Sequence, residues 1–410
     1  MSNGSKATIP LGQIAEIDMG TSPPGTSYNK EGIGVPLING PTEFTDNSPV
    51  PQQWTTEPTR VCRKGDILIC VRGASTGRMN TADREYCIGR GVAAIRDRED
   101  PLATPLLRYV IEHQLPSLLR FATGSTFVAV DKKAISNIPV PAFDARQRRE
   151  TARLLNRSEE VELLLSRIIT AKREFKRGLM QELLTGRRRF PEFGPSHNGT
   201  EGPPAGWKEV KLGDLGRVVS GGTPSTKVPE YWDGGIAWCT PSDITALKSP
   251  FIDGTERELS EKGVENSSAE VLPPYSVIVC TRATIGAAAI NRIPMATNQG
   301  FKSIIPEEGY CAEFIYYLVL HNRNQLLRRA AGSTFLEVSA DSFSSLPVFV
   351  PESTAEQRRI ADVLLRLDEE IQLLEQLLDQ FDINKRGLMQ KLLTGELTVP
   401  VSSEPEPVHA

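Results

Sequence analysis

The sequence predicts a mixed α/β (α+β) protein made of two homologous domains, each followed by a very long helix. Three observations predict this. The chain repeats itself in the same order, β-rich apolar runs recur at matching places in both copies, and each copy ends in a heptad pattern. The clearest repeat is KRGLMQELLTG at 176–186 against KRGLMQKLLTG at 385–395, in which only Glu182 and Lys391 differ. Upstream, Gly124-Ser125-Thr126-Phe127 returns as Gly332-Ser333-Thr334-Phe335. Gly20-Thr21-Ser22-Pro23 returns as Gly221-Gly222-Thr223-Pro224, and the run ending Cys70-Val71-Arg72 returns ending Cys280-Thr281-Arg282. Two copies of about 200 residues exclude a solenoid, which stacks 20–45-residue units. The ends of the copies agree best, and 29–60 hardly matches 227–271. A shared frame with divergent inserts suggests one kind of job done on two different targets.

In chain order, residues 1–145 form the first domain. Runs at 65–72 and 92–95 read as strands, and 106–119 has helical spacing. Prolines 139 and 141 mark its exit. A long helix over 146–189 follows, with Leu154, Val161, Ile168 and Phe175 recurring every seven residues as its apolar seam. The Pro/Gly-rich stretch 190–207 is a linker. The second domain, 208–352, has strands at 236–239 and 277–282 and one helix over 314–327. The second long helix, 353–396, carries the seam Leu364, Leu367, Ile371, Leu374, Leu378 and Phe381, and 397–410 reads as a disordered tail. Each long helix extends roughly 50–60 Å at ~1.5 Å per residue. Gly178 and Gly387 inside them predict a close helix–helix approach, and Gly186 and Gly395 suit C-terminal caps. The first helix is basic and the second acidic, which favours pairing with each other. Matching Gln147-Arg148-Arg149 to Gln357-Arg358-Arg359 gives an offset of 210 and sets Arg146 against Glu356. At Lys176 and Lys385 the offset is 209, so the helices read as one residue out of register.

Composition bounds the function. The 410 residues are 39% hydrophobic and 24% charged with net charge -4, enough apolar material for buried cores. No apolar run approaches the ~20 residues needed to cross a bilayer, and no signal-peptide core is present, so a cytoplasmic protein is expected. The six cysteines are scattered without a C-x-x-C pair, which argues for reduced thiols and against a metal site. The four histidines (His113, His197, His321, His409) have no ligand-spaced neighbours. Gly73-Ala74-Ser75-Thr76-Gly77 matches the G-x-S-x-G pattern of serine hydrolases, but its counterpart Ala283-Thr284-Ile285-Gly286 has no serine. Leu272-Pro273-Pro274-Tyr275 is similar to the catalytic tetrapeptide of amino-methyltransferases, with Leu where that chemistry needs Asp, Asn or Ser. No catalytic constellation is predicted.

What remains is polar and basic, the side chains that contact phosphates and base edges. In the first copy the candidates are Arg72, Arg78, Arg90, Ser125, Thr126, Lys132 and Lys133. In the second they are Thr240, Ser242, Arg282, Asn298, Gln299, Lys302, Ser333 and Thr334.

The chain resembles the specificity (S) subunits of type I restriction-modification systems. The resemblance is carried by Ser220-Gly221-Gly222-Thr223-Pro224 with Tyr231-Trp232 and Ile236-Ala237-Trp238, by Gly20-Thr21-Ser22-Pro23, by the G-S-T-F loops and by the terminal K-R-G-L-M-Q-x-L-L-T-G. It implies two target recognition domains, each reading half of a bipartite, asymmetric double-stranded DNA site. The two helices would lie antiparallel as a spacer and dock two modification (methyltransferase) subunits. S-adenosylmethionine, ATP and Mg2+ would belong to those and to the motor-nuclease (restriction) subunits. This chain would need no cofactor, touch no membrane and catalyse nothing. The rival readings are a coiled-coil scaffold without DNA contact and a serine hydrolase using Ser75.

Overall fold

The computed structural model describes residues 7–45, 48–122, 129–196, 202–332 and 336–400. The chain divides into two compact units, and each takes part of both long helices: one comprises 1–164 with 379–410, the other 165–378.

In the first unit, Ala15–Met19, Val92–Asp97, Ile67–Cys70 and Met79–Thr81 form an antiparallel four-stranded sheet in that spatial order. A second, five-stranded sheet is centred on Val35–Ile38. The inner strand Ile67–Cys70, the central strand of this unit, is buried on both faces, and the period of two sorts its side chains. Ile67, Ile69 and Val71 join the helix Thr104–Ala122, whose Leu107, Val110 and Ile111 are buried in the same core. Leu68 and Cys70 join a separate core with Ile38 and Tyr86 of the second sheet.

The second unit repeats this plan. Gly216–Ser220, Phe301–Pro306, Val277–Cys280, Ala288–Asn291 and Phe251–Ile252 form one sheet. Val277 and Val279 face the helix Ala312–His321, while Ile278 and Cys280 face a core shared with Ala237 and Met295. The single helix predicted over 314–327 is two, Ala312–His321 and Arg323–Arg329. Asn322 between them donates its side-chain amide to the Leu318 carbonyl and closes the first.

The long helices run Ala145–Leu183 and Thr354–Leu393. The first starts with a pair that caps reciprocally, Gln147 N donating to Asp144 at 2.8 Å and Asp144 N to Gln147 at 3.2 Å, and the second with a one-way cap, Glu356 N donating to Ser353 at 3.4 Å. Thr151, Ala152 and Leu155 are buried in one helix, and Ile360, Ala361 and Leu364 in the other. This sets the offset at 209 throughout. The predicted register difference is therefore absent, Gln147 stands where Glu356 stands, and Arg148 matches Gln357. The Gln-Arg-Arg match is a one-residue slip. Past Leu183 the chain closes with Arg188 N to Glu182 O, matched by Leu397 N to Lys391 O, around Gly186 (φ 68°) and Gly395 (φ 74°). The first helix thus ends at Leu183 rather than 189.

Within the second unit the helices are antiparallel, since Lys172 pairs with Glu370 (2.5 Å) and Lys176 with Asp368. Within the first, Lys385 pairs with Glu162 at 2.6 Å, while Leu392 and Leu393 enter the core with Leu155. Leu183 and Leu184 enter the second unit's core in the same way.

The seam of the first helix differs from the predicted one. Val161, Ile168 and Phe175 are 41%, 45% and 56% exposed, and Leu154 is half-buried. The inward row lies one residue later, with Leu155, Ile169 and Leu183 buried and Glu162 and Lys176 between them in ion pairs. In the second helix Leu364, Leu367 and Ile371 are buried, and Leu374, Leu378 and Phe381 half-buried. The predicted close approach at Gly178 and Gly387 is also overturned, because a Cβ on either would meet open space.

Residue 207, assigned to the linker, is the first of the strand Trp207–Lys211, which pairs with Pro347–Pro351. In the stretch assigned to the tail, Val399 packs on the first unit's core.

Candidate nucleic-acid interface

In each unit three backbone segments converge at one end of the central strand. Val71, just past Ile67–Cys70, donates its N–H to the Gly91 carbonyl at 2.9 Å, and Thr281 donates to Gly300 at 2.7 Å. Those carbonyls belong to the turns Gly89-Arg90-Gly91 and Asn298-Gln299-Gly300. The loop after the first sheet strand locks onto the same turn. Gly20 N donates to Val92 O (2.9 Å) and Thr21 N to Ile88 O (3.0 Å), matched by Gly221 N to Phe301 O (3.4 Å) and Gly222 N to Thr297 O (2.9 Å). The side chain of this loop reaches the turn in both copies. The Ser22 hydroxyl accepts from Arg90 N at 3.4 Å, and the Thr223 hydroxyl donates to the Gln299 amide oxygen. A returning segment completes each cluster, with Val130 N on Val71 O (2.9 Å) and Val338 N on Thr281 O (3.0 Å).

The glycines are dictated by this convergence. A side chain on Gly20 would collide with the Gly89 and Val92 carbonyls, and one on Gly221 with the Asn298 carbonyl. In the second unit two indoles also hold the loop, Trp238 donating to the Gly222 carbonyl (3.0 Å) and Trp232 to the Ser225 carbonyl (3.2 Å). The Arg257 guanidinium stacks 3.8 Å from the Trp232 ring centroid.

On this shared frame the side chains differ. Arg72 is exposed beside a cavity of about 790 Å³ that Gln114, Asp131 and Lys132 also line. Its counterpart Arg282 is half-buried and ion-paired with Glu337 at 2.6 Å, and the position matching Glu337 is Ala129. Arg90 is exposed on its turn, where the second unit presents Gln299. Arginine only donates, whereas glutamine both donates and accepts, so the two turns offer different hydrogen-bonding patterns. Lys132 and Lys133 are exposed at the start of the helix Lys132–Ser136, which Asp131 caps. Lys302 is buried next to Glu337, and that burial holds its ammonium pKa below the usual lysine value.

Other candidates are engaged in the fold. Arg78 donates to the Phe44 carbonyl at 2.9 Å. Asn298 accepts from Gly300 N at 2.8 Å and so shapes its own turn. The Thr240 hydroxyl donates to Asp243 at 2.6 Å and contacts the Ser242 hydroxyl at 2.8 Å, capping the helix Pro241–Ala246. Ser125, Thr126, Ser333 and Thr334, like His197 and His409, lie outside the described residues. Sequence reasoning missed Glu337. Its signal was the Ala129 counterpart, a charge difference opposite a matched arginine.

The hydrolase reading does not survive. Ser75 lies in a hydrogen-bonded turn joining the paired strands Ile67–Cys70 and Met79–Thr81, with Arg78 N on the Ser75 carbonyl at 3.0 Å. A nucleophile elbow needs a strand followed by a helix. Leu272-Pro273-Pro274-Tyr275 is likewise a pinned turn, since the Pro273 carbonyl accepts from both Ser276 and Asn291. His113 is exposed, and His321 is half-buried with its pKa lowered by burial. Among the described residues no group of three His, Cys, Asp or Glu could hold a metal ion, and no helix is long and apolar enough to cross a membrane.

Known proteins share this construction. The family model described as the type I restriction modification DNA specificity domain matches residues 4–154 and 204–381, once per copy. The chain is 38% identical over 171 residues to the type I restriction enzyme MjaIX specificity subunit of Methanocaldococcus jannaschii, a stretch covering 41% of this chain and 39% of that one. It is 30% identical over 169 residues to the EcoR124I/EcoR124II specificity subunit of Escherichia coli, covering 40% of each. These matches thus span about two fifths of the relatives' length. Among solved structures, the type I restriction-modification S subunit from M. genitalium aligns with a TM-score of 0.56 at 17% identity, over 96% of this chain and 97% of that one. The HsdS subunit from Thermoanaerobacter tengcongensis aligns at 0.54 and 16%, over 96% and 98%. At such identities these neighbours share the fold, two mixed domains with long helices. With the family's domain matched twice over most of its length, this chain belongs to the type I restriction modification DNA specificity domain family.

Proposed function

We propose that the chain is the non-catalytic DNA-reading subunit of a cytoplasmic type I restriction-modification complex, each unit reading one half of a bipartite, asymmetric site in double-stranded DNA. The observation that carries this is the duplicated convergence of loop, turn and strand end, built by the same backbone hydrogen bonds and dressed with different side chains. Arg90 and Gln299 occupy equivalent turns, and arginine and glutamine suit guanine and adenine edges respectively. The acidic pI of about 5.8 is compatible with this, because DNA affinity depends on local contacts and on partner surfaces.

The helices then dock two modification subunits and set the gap between half-sites. Arg177, Gly178 and Gln181 are identical to Arg386, Gly387 and Gln390, and all six are exposed. The buried leucines of this repeat are explained by the matching cores they enter, but these outward residues are not. The same surface presented twice suits two copies of one partner, and an exposed glycine lets a partner helix approach closely. An exposed apolar row of Val161, Leu164, Ile168 and Phe175 on the first helix offers further contact area. S-adenosylmethionine, ATP and Mg2+ are assigned to the modification and restriction subunits.

The test is to map methylated adenines in the host genome, then replace residues 208–352 with the matching domain of a relative. The expected result is a bipartite motif in which one half changes. A motif that changes in both halves, or no motif at all, would overturn the reading. A gel shift with modification subunits present separates it from a scaffold without DNA contact.

A further inference from the structure

We propose that Glu337 is a specificity-determining residue of the second unit: it positions the Arg282 guanidinium to read a base edge, whereas the matched Arg72, which faces Ala129, contacts phosphate. This rests on the DNA-reading function proposed above.

The geometry holds the acid before it holds the arginine. Glu337 exchanges two backbone hydrogen bonds with Ala331, both 3.0 Å, and forms a backbone bridge to Arg282 itself. Its carboxylate then meets a cation on each oxygen, Arg282 Nη2 at 2.6 Å and Lys302 Nζ at 3.9 Å. Lys302 comes from the neighbouring strand Phe301–Pro306 and is only 7% exposed as a residue. The arginine remains reachable, with its side chain 40% exposed. The first unit has the same backbone bridge between Arg72 and Ala129, but no carboxylate there. The matched pair thus differs by one acid on an otherwise common frame.

Two consequences follow from the chemistry. A carboxylate bonded to one end of a guanidinium restricts its plane and leaves the remaining donors free. That suits the directional, bidentate match to guanine O6 and N7. The same carboxylate sits 2.6 Å from the guanidinium, while the second cation, Lys302, is buried, so the exposed charge that could attract a phosphate is reduced at Arg282. Arg282 is therefore better equipped for a base than for the backbone, and Arg72 the reverse.

The experiment uses the full chain in complex with its modification subunits, on duplexes carrying the methylation-mapped site and single-pair replacements in each half. Glu337→Gln is expected to keep cognate binding within a few-fold. It should lose about tenfold discrimination at one G·C pair of the second half-site and make the slope of log affinity against log salt steeper by about one. Discrimination in the first half-site should be unchanged, and Glu337→Asp should restore part of what is lost in the second. Arg282→Lys keeps the charge and loses the fork, so it should lose discrimination at the same pair. In the reciprocal change, Ala129→Glu should make the salt slope shallower by about one. Discrimination held within twofold by Glu337→Gln or Arg282→Lys overturns the proposal, as does an equal loss in both half-sites. A wild-type complex indifferent to all replacements overturns the DNA-reading function and this proposal with it, whereas a discriminating wild type with an indifferent Glu337→Gln overturns this one alone.

Discussion

Glu356 occupies a buried site that its counterpart Gln147 does not. Its carboxylate receives both Arg189 Nε and Nη2 at 2.8 Å and the Trp207 indole N–H at 3.2 Å, and both charged side chains are 3% exposed. Removing one partner of such a pair strands the other, so Glu356→Ala should cost about 3–5 kcal/mol in urea unfolding. Gln147→Ala removes only half of a capping pair and should cost about 1 kcal/mol or less. Equal effects would mean that the pair adds nothing beyond the cap. Lys302 carries a pH prediction. Its folded pKa lies below the unfolded value of 10.5 because burial disfavours the ammonium. The unfolded chain therefore binds more protons between the two values, and this residue's contribution to stability rises with pH across that window. Lys302→Met should raise stability near neutrality, with the advantage over wild type shrinking as pH climbs toward 10.5. A difference independent of pH would contradict it. Arg72 and Arg282 could be paired from the repeat alone, because they end matching strands. Their differing environments could not, because Glu337 is brought in from 55 residues away in sequence by a backbone bridge.

The first long helix shows why a sequence pattern can be read one residue off. Rows at 154, 161, 168, 175 and at 155, 162, 169, 176, 183 share the seven-residue period, and the first is the more apolar. The second faces inward because Glu162 and Lys176 find partners there in Lys385 and Asp368. Apolarity therefore pointed to the exposed row, while in the second helix, whose inward row is apolar, it pointed to Leu364, Leu367 and Ile371, which are buried. The outward glycines give a prediction on the same element. Gly178→Ala and Gly387→Ala replace the least favourable ordinary helix residue in open space and should each stabilise the isolated chain by about 1 kcal/mol. Gly178→Leu and Gly387→Leu should leave the isolated chain's fold intact and each reduce the number of bound modification subunits from two to one, as mass measurement of the complex would show. Two bound subunits in either leucine variant would remove the glycines from the docking surface.

At the scale of the whole chain, the duplication and the two domains were legible, but the make-up of each unit was not. Heptads announce that a helix has a partner without saying which core its last turn enters. Here Leu392 and Leu393 join Leu11 and Leu155, more than two hundred residues earlier, and Leu183 and Leu184 join the core of the following domain. Both helices pass from one unit into the other, the first between residues 164 and 165 and the second between 378 and 379. Those junctions are where the proposed spacing role can be tested without disturbing either unit. Four extra residues in each helix at those points add one turn, roughly 6 Å. The Lys385–Glu162 pair of one unit and the Lys172–Glu370 pair of the other would both be kept. At ~3.4 Å per base pair the methylated motif should retain both half-sites and gain one or two base pairs of gap. The same four residues inserted after Gly186 fall beyond the last helical residue, Leu183, and should leave the gap unchanged. If the doubly lengthened variant methylates the original spacing, or if the loop insertion shifts it equally, the helices do not set the distance between half-sites.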